Sequence, residues 1–419
     1  MGFIVGPTYL SPEGYDVNVA VETSVDGTLP REGEAYNVRV KFQTLRAVQA
    51  TVSLLLPPYT NTYAPQPQGS VVQIYNGPLG NFFVDRSVVS EVAFGELVFT
   101  AIIDWNTPGG SRGSDRVSVN VPFAKSPAPL GRMVFRSEFP IGGNGPPIGQ
   151  LWTMTADGQD RKRVFPDDEQ TNYAAPDWAP DGSRIVFNAG LGYGSSDLYT
   201  VARDGSDLRL VSSANEVLNY PKWAPDGRRF LGMRYTPKPN FWELWAVDVD
   251  GANLTQATAP AQGEVVQVEW GVWTRDNRFA GLVGSEGNFG GLILLGPADF
   301  DRAVPGIEYN MDRGRDRMYL ASNPAYDLLA YESRPGTTSS QTGSNISVFD
   351  LRSRVEWHIA DGSNPAFSPD GRWLAFSRRS VDDGRISLRI FVMDVFGRDV
   401  RALSPLDAYD LGVAWSGHA

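Results

Sequence analysis

The fold is decided by a ten-residue stretch that occurs three times, as WAPDGSRIVF at 178–187, WAPDGRRFLG at 223–232 and FSPDGRWLAF at 367–376. Each copy has an aromatic residue, then a Pro-Asp-Gly turn, then an apolar run. Pro and Asp favour tight turns and Gly supplies left-handed backbone, while an apolar run bounded by turn residues predicts a strand. The stretch therefore predicts two strands joined by a turn, repeated along the chain.

Two weaker copies complete the series, one beginning at Trp273 and one running from Pro324 to Tyr331. The turn aspartates lie 45, 50, 51 and 43 residues apart, at Asp181, Asp226, Asp276, Asp327 and Asp370. A second motif follows the turns, as in LYTVARDG ending at Gly205 and LWAVDVDG ending at Gly251, and a short apolar strand comes after it. Four antiparallel strands per repeat are typical of a β-propeller blade.

A sixth unit is divided between the two ends of the repeat region. VAWSG at 413–417 matches the first strand of a unit. MVF at 133–135, LWTMTADG at 151–158 and RVF at 163–165 match the second, third and fourth strands. We therefore predict a six-bladed propeller over 133–419, closed by a split blade, because closure removes exposed sheet edges.

The first 123 residues have a different pattern, in which apolar and polar residues alternate over short runs such as Tyr15–Val21 and Tyr36–Phe42. Alternation with period two predicts strands with one buried face, and about seven such runs are typical of a β-sandwich. The stretch YNVRVKFQTLRAVQATVSLLLP at 36–57 resembles the paired strands of bacterial immunoglobulin-like domains. We predict an all-β chain, with an immunoglobulin-like β-sandwich at 1–123 and a linker at 124–132.

The repeat over 133–419 resembles the TolB-type propeller repeat, which also occurs in propellers of the prolyl-oligopeptidase group. The resemblance implies a TolB-like propeller that acts through protein contacts on one face or through its central channel. The prolyl-oligopeptidase group adds a hydrolase domain with a Gly-x-Ser-x-Gly nucleophile turn. The match here, Gly109–Gly113, lies in a predicted hairpin turn with no helix after it, so it lacks the strand–turn–helix context of that nucleophile.

Composition excludes several kinds of chemistry. The chain has no cysteine, which excludes disulfides and thiolate sites, and its two histidines, His358 and His418, are too few for a three-histidine metal site. The net charge of −11 disfavours general nucleic-acid binding. No stretch approaches the ~20 apolar residues of a membrane span, and no secretory signal pattern is visible at the start.

Candidate binding residues come from the propeller geometry. Residues just before each innermost strand are expected at the channel mouth, where polar side chains suit either a small ligand or a water-filled channel. By alignment these residues are Tyr173, Asn219, Glu269, Asp361 and Asp410. A basic cluster forms a candidate patch for an anion or a partner, made of Arg313, Arg315 and Arg317. The sequence indicates no catalytic residue, metal site or cofactor, and a channel-bound cation stays an open alternative.

These observations predict a non-catalytic protein-binding or scaffold protein with protein partners. We expect it in a larger assembly, such as a virion or a cell-surface structure. The alternative is an enzyme that uses the propeller channel, such as a metal-dependent hydrolase or lactonase, whose site needs convergent ligands around one cation. A serine–histidine–aspartate relay requires the fold to bring one of the two histidines to a serine and a carboxylate.

Overall fold

The computed structural model describes residues 2–23, 35–44, 46–56, 60–62, 71–90, 96–122, 129–139, 148–166, 168, 170–190, 196–212, 218–236, 241–257, 267–285, 288–295, 306–310, 315–335, 343–351, 356–382, 385–395, 397 and 399–417. The chain divides into two compact units, Met1–Pro127 and Ala128–Ala419. Every helix or strand found in the described ranges is a β-strand. Accordingly, the part of the chain that is described contains no helix long and apolar enough to cross a membrane.

Unit 1 contains two antiparallel sheets. Its strands are β1 (Gly2–Val5), β2 (Tyr9–Leu10), β3 (Tyr15–Thr23), β4 (Ala35–Thr44), β5 (Gln49–Leu55), β6 (Thr60–Thr62), β7 (Val71–Pro78), β8 (Phe82–Ser90), β9 (Glu96–Asn106) and β10 (Arg112–Pro122). One sheet has the order β1-β3-β4-β8-β6 with β2 beside β3, and the other has the order β10-β9-β5-β7. Alternating residues of both sheets, such as Val19, Val40, Val52 and Ile103, form one buried core.

One carboxylate ties elements of unit 1 together. Asp115 on β10 accepts hydrogen bonds from the Tyr9 hydroxyl at 2.9 Å and from the Trp105 indole N–H at 2.9 Å. The hydroxyl of the buried Tyr15 also donates to it. Burial and the neighbouring Asp115 carboxylate raise the pKa of Tyr15, so the phenol stays a donor.

Unit 2 consists of four-stranded antiparallel sheets, six of them in the described residues. The strands in its first segment are β11 (Arg132–Phe139), β12 (Ile148–Thr155) and β13 (Lys162–Arg163). Blade 1 contains β14 (Asn172–Trp178), β15 (Arg184–Gly190), β16 (Ser196–Ala202) and β17 (Arg209–Ser212). Blade 2 contains β18 (Asn219–Trp223), β19 (Arg229–Thr236), β20 (Phe241–Asp248) and β21 (Thr255–Gln256). Blade 3 contains β22 (Gln267–Trp273), β23 (Phe279–Ser285), β24 (Asn288–Leu295) and β25 (Gly306–Asn310). Blade 4 contains β26 (Arg315–Ser322), β27 (Leu328–Pro335), β28 (Asn345–Asp350) and β29 (Glu356–Asp361). Blade 5 is β30 (Ser363–Phe367), β31 (Trp373–Asp382), β32 (Arg385–Asp394), β33 (Arg401–Ala402), and the last strand is β34 (Asp410–Ser416).

The repeated motifs explain the blade geometry. In the Pro-Asp-Gly turn the Asp181 carboxylate accepts the backbone N–H of Ser183 at 2.9 Å, which fixes the turn between β14 and β15. At the second motif, Gly205 and Gly251 each have a φ of 86°. A Cβ on Gly251 would lie 2.2 Å from the carbonyl oxygen of Val211 on the fourth strand of the preceding blade. The glycine therefore permits both the left-handed backbone and the close packing of one blade on the next.

The innermost strands form a ring. β14, β18, β22, β26, β30 and β34 contact one another in that order, and β34 also contacts β14. β34 pairs with β11, so one sheet, blade 6, has the order β13-β12-β11-β34 and joins the two ends of the unit. The predicted all-β fold with a β-propeller is confirmed.

Candidate functional site

Each innermost strand departs from regular pairing at one position. A register shift occurs between Ala174 and Asp177 on β14, and corresponding shifts occur on β18, β22, β26, β30 and, where it pairs with β11, β34. One residue inside each shift has left-handed backbone: Ala175 (φ 49°), Tyr220 (53°), Trp270 (56°), Tyr319 (53°), Asn364 (53°) and Gly412 (63°). A bulge of this kind bends the strand and redirects a side chain.

All six left-handed residues line one cavity of about 500 Å³, which takes lining residues from every innermost strand and is therefore the propeller channel. Cavities of this size fall within the range that holds small ligands in proteins. Prolines that follow the bulges also line it, namely Pro176, Pro221 and Pro365. The repeated bulge thus builds the candidate site.

The channel has two unlike walls. Tyr220, Trp270 and Tyr319, from the consecutive blades 2, 3 and 4, form what we call the aromatic wall. Their ring centroids lie 4.6 Å apart for Tyr220–Trp270, 4.3 Å for Trp270–Tyr319 and 6.1 Å for Tyr220–Tyr319. Blades 5, 6 and 1 present Asn364, Gly412 and Ala175 at the same positions, which we call the small wall.

The aromatic wall departs from what the backbone favours. Left-handed backbone suits Gly and Asn, and a bulky residue there costs about 1–3 kcal/mol. The indole N–H of Trp270 is buried and has no hydrogen-bond partner among the described residues. Burial raises the pKa of the Tyr319 hydroxyl, and the nearby Tyr220 and Glu332 add to this effect. Strain and an unpaired polar group that occur together are expected at functional positions.

Side chains from the preceding blade support the strained bulges. Asn188 on β15 accepts the backbone N–H of Tyr220 at 3.2 Å and donates to the Leu218 carbonyl at 2.8 Å. The Met233 sulfur on β19 accepts the backbone N–H of Trp270 at 3.0 Å. These contacts fix the backbone at two of the three residues of the aromatic wall, Tyr220 and Trp270.

Glu332 on β27 has the corresponding position behind Asn364, whose backbone hydrogen bond lowers the pKa of this carboxyl. Burial outweighs that effect and raises the pKa of Glu332 overall, although Arg334 and Ser344 also contact the carboxylate. One carboxylate oxygen, Oε2, has no hydrogen-bond partner among the described residues. Glu332 is therefore a buried acid only partly compensated by its neighbours.

The charged groups at the channel are paired with one another. Arg136 Nη2 lies 3.1 Å from Glu138 Oε1, and both residues line the cavity. Lys222 Nζ lies 3.4 Å from Asp177 Oδ1. Burial raises the pKa of Asp177, while Lys222 and the backbone N–H of Trp223 act against that rise. The cavity therefore offers little uncompensated charge to a ligand.

The five predicted channel-mouth residues do not line this cavity. Tyr173, Asn219 and Glu269 come one residue before the lining residues Ala174, Tyr220 and Trp270. Tyr173 packs between blades, and its hydroxyl donates to Asp168 at 2.7 Å. The prediction placed these residues just before the innermost strands, whereas the strands begin earlier, at Asn172, Asn219 and Gln267, so the three residues lie inside them and ahead of the bulges. Ligand binding by these residues stays a prediction.

The other two predicted residues lie elsewhere in the blades. Asp410 is fully buried in blade 6, where Arg161 binds its carboxylate. Asp361 ends β29, the fourth strand of blade 4, with 73% of its side chain exposed. The strand pairing therefore places neither Asp361 nor Asp410 at the bulge of an innermost strand.

The structure describes two of the three arginines of the predicted basic patch, Arg315 and Arg317. Arg317 is completely buried, its guanidinium 3.3 Å from Glu356 Oε2 and over the Tyr331 ring. The prediction that Arg317 contributes to an exposed patch is therefore wrong, because alternation along β26 turns this side chain inward. Arg315 begins β26, and Arg313 lies outside the described residues.

Among the described residues considered from the sequence, Ser111 and His358, the structure shows no serine–histidine–aspartate relay. Ser111 lies in the turn between β9 and β10, as predicted from its hairpin context. His358 is half-exposed on β29, with its Nε2 4.0 Å from Asp361 Oδ1, and Ser347 is its cross-strand neighbour. His418 lies outside the described residues. No cluster of three or more His, Asp or Glu side chains suited to a metal occurs in the described ranges.

No protein-family model matches this chain. TolB from Acinetobacter baumannii is similar in structure, with a TM-score of 0.53 and 14% identity over 78% of this chain and 80% of TolB. The propeller fold is TolB-like. This likeness shows the fold alone, and it confirms the resemblance inferred from the repeated turn.

Curated relatives bear on function. The chain is 25% identical over 255 residues to a dipeptidyl-peptidase 5 of Porphyromonas endodontalis, covering 58% of this chain and 35% of the relative. It is 27% identical over 271 residues to a dipeptidyl-peptidase 5 of Porphyromonas gingivalis, covering 62% of this chain and 38% of the relative. The chain thus spans about a third of the length of the curated relatives it matches.

These relatives correct the functional prediction. Proteins named as peptidases contradict the prediction of a non-catalytic scaffold and the prediction that the chain is not an enzyme. The expected place in a virion or cell-surface structure has no support in these similarities. The sequence reasoning failed because it looked for a nucleophile motif in its usual context, whereas the similarity to peptidases is spread over more than 250 residues.

Proposed function

We propose that this chain acts in peptide hydrolysis and that its propeller channel takes up the peptide. The observation that carries the proposal is the similarity to relatives named dipeptidyl-peptidase 5, because it extends over more than half of this chain. The channel cavity of about 500 Å³ is large enough to hold a peptide segment. The proposal assigns peptide binding to the channel and assigns bond cleavage to no described residue.

The lining of the cavity suits a peptide. Aromatic rings and prolines supply apolar contact, whereas Asn364 and the Tyr409 side chain supply polar groups on the same cavity surface. Ligand sites generally combine an apolar lining with a few polar groups that fix orientation. The internally paired charges leave the cavity free of a strong field that would repel a neutral peptide backbone.

A hydrolysis assay tests the proposal. The chain is incubated with peptides carrying a free or an acetylated amino terminus, and products are followed by mass spectrometry. Ala174→Leu adds bulk on the small-residue side of the cavity, so we expect kcat/KM to fall by about tenfold, which corresponds to ~1.4 kcal/mol. Ala252→Leu, in the exposed turn after β20, is the control and should leave the rate unchanged. Absence of cleavage of every peptide would contradict the proposal.

A further inference from the structure

The aromatic wall is not required by the propeller backbone. The same left-handed position holds Ala175, Asn364 and Gly412 in the other three blades, so the fold accepts small residues there. Asn and Gly are also the residues for which this backbone costs least. Three neighbouring blades nevertheless carry Tyr220, Trp270 and Tyr319, and each ring is only partly buried.

The arrangement leaves space beside the rings. The opposite blades carry small residues at the bulge position, and the cavity, which larger residues such as Arg136, Tyr409 and Leu411 also line, lies between the two walls. A flat aromatic side chain entering from the channel could therefore contact the aromatic wall without displacing it. Offset-stacked and edge-to-face ring pairs are worth about 0.5–1.5 kcal/mol beyond the area they bury, or about 2–12-fold in affinity.

The charges of the channel argue against a charged ligand group. Arg136 forms an ion pair with Glu138, and Lys222 with Asp177, so a charged side chain would have to break an existing pair. A neutral aromatic side chain makes no such demand, because its contacts with the rings need no charged partner.

We propose that the channel selects peptides that carry an aromatic side chain, held against the aromatic wall formed by Tyr220, Trp270 and Tyr319. This inference rests on the proposed function and adds the class of substrate. The aromatic side chain lies between the two walls of the channel, and the peptide backbone runs past the bulges, whose prolines keep that surface apolar. A neutral aromatic group fits both the lining and the paired charges.

Calorimetric titration tests the selection, with the full chain and blocked pentapeptides of the form Gly-Gly-X-Gly-Gly. We expect the peptide with Phe at X to bind about tenfold more tightly than those with Gly, Lys or Glu, and more tightly than the one with Leu. Trp270→Ala should abolish the preference, and Trp270→Phe should keep most of it. Tyr235→Ala removes an exposed ring that does not line the cavity, so it should leave the preference intact.

A second variant keeps the test valid should Trp270→Ala not fold. Ala174→Leu leaves all three rings in place and narrows the cavity, so it should weaken binding of the Phe peptide more than that of the Gly peptide. Equal affinity for all peptides, or equal affinity for Leu and Phe, would overturn the aromatic selection and leave the proposed peptide uptake standing. Failure of every peptide to bind would overturn both.

Discussion

Two regions of the propeller treat polar groups and backbone strain in opposite ways. At the junction of blade 6, the buried Asp410 receives a bidentate contact from Arg161, which also donates to Ser137 at 3.2 Å and covers the rings of Phe135 and Trp152. At the aromatic wall, bulky residues hold left-handed backbone and the Trp270 N–H has no partner in the described part of the chain. The first arrangement is what stability requires, and the second is what a binding site retains at some cost to stability.

The largest effect is expected where the ring closes. Asp410→Ala leaves the mostly buried Arg161 without its carboxylate, so we expect the free energy of unfolding to fall by about 3–5 kcal/mol. Urea denaturation of both forms measures the change.

A control is Arg209→Ala, which removes a mostly exposed partner of Asp207 and should cost at most about 1 kcal/mol. Equal losses in the two variants would show that Asp410 does not hold the closing blade. Because Asp410 is on β34 and Arg161 precedes β13, their contact joins two ends of the unit that lie 249 residues apart in sequence.

The same contrast explains what the sequence could predict. Trp178, Asp181 and Gly182 recur at matching positions, and turns, strands and blade number follow from local preferences that each copy repeats. The channel lining does not follow in this way. Tyr220 and Trp270 reach the cavity because a bulge shifts the alternation by one residue, and the alternating pattern from which strands are predicted does not reveal that shift.

The partners of charged residues were equally hidden. Arg317 looks like Arg313 and Arg315 in the sequence, yet its pairing with Glu356 on β29 depends on contacts between strands distant in the chain. A usable signal for the site was available in the aligned blades. The position that holds Ala175, Tyr220, Trp270, Tyr319, Asn364 and Gly412 varies widely in size, whereas the turn positions stay nearly constant.

A smaller effect, dependent on pH, is expected at Glu332. Burial raises the pKa of this carboxyl above its ordinary value of 4.5, so the folded state binds its proton more tightly than the unfolded state does. The contribution of Glu332 to the free energy of unfolding is fully present below pH 4.5, and it is lost as the pH rises through the pKa of Glu332 in the folded state. Glu332→Gln should therefore gain stability relative to the parent over that rise.

Denaturation of the parent and the Gln variant from pH 4 to pH 8 checks the sign, and we expect the Gln variant to gain stability relative to the parent as the pH rises. A difference that does not change with pH would show that Arg334 and Ser344 compensate the charge fully. Glu332 would then resemble Asp410, as a second buried acid whose charge is compensated by its neighbours.

The smallest effect distinguishes the two walls of the channel. Ala175→Gly relieves left-handed backbone on the small wall and removes a single methyl group, so we expect stability to change by less than about 1 kcal/mol and binding of the Phe pentapeptide to stay the same. Tyr220→Gly relieves the same backbone but removes a ring that contacts Trp270 at 4.6 Å. Its gain in backbone freedom should be offset by lost packing, and peptide binding should weaken severalfold. If both variants bound the peptide equally, the aromatic wall would be a packing feature of the channel, and the strain at Tyr220 would have no functional counterpart.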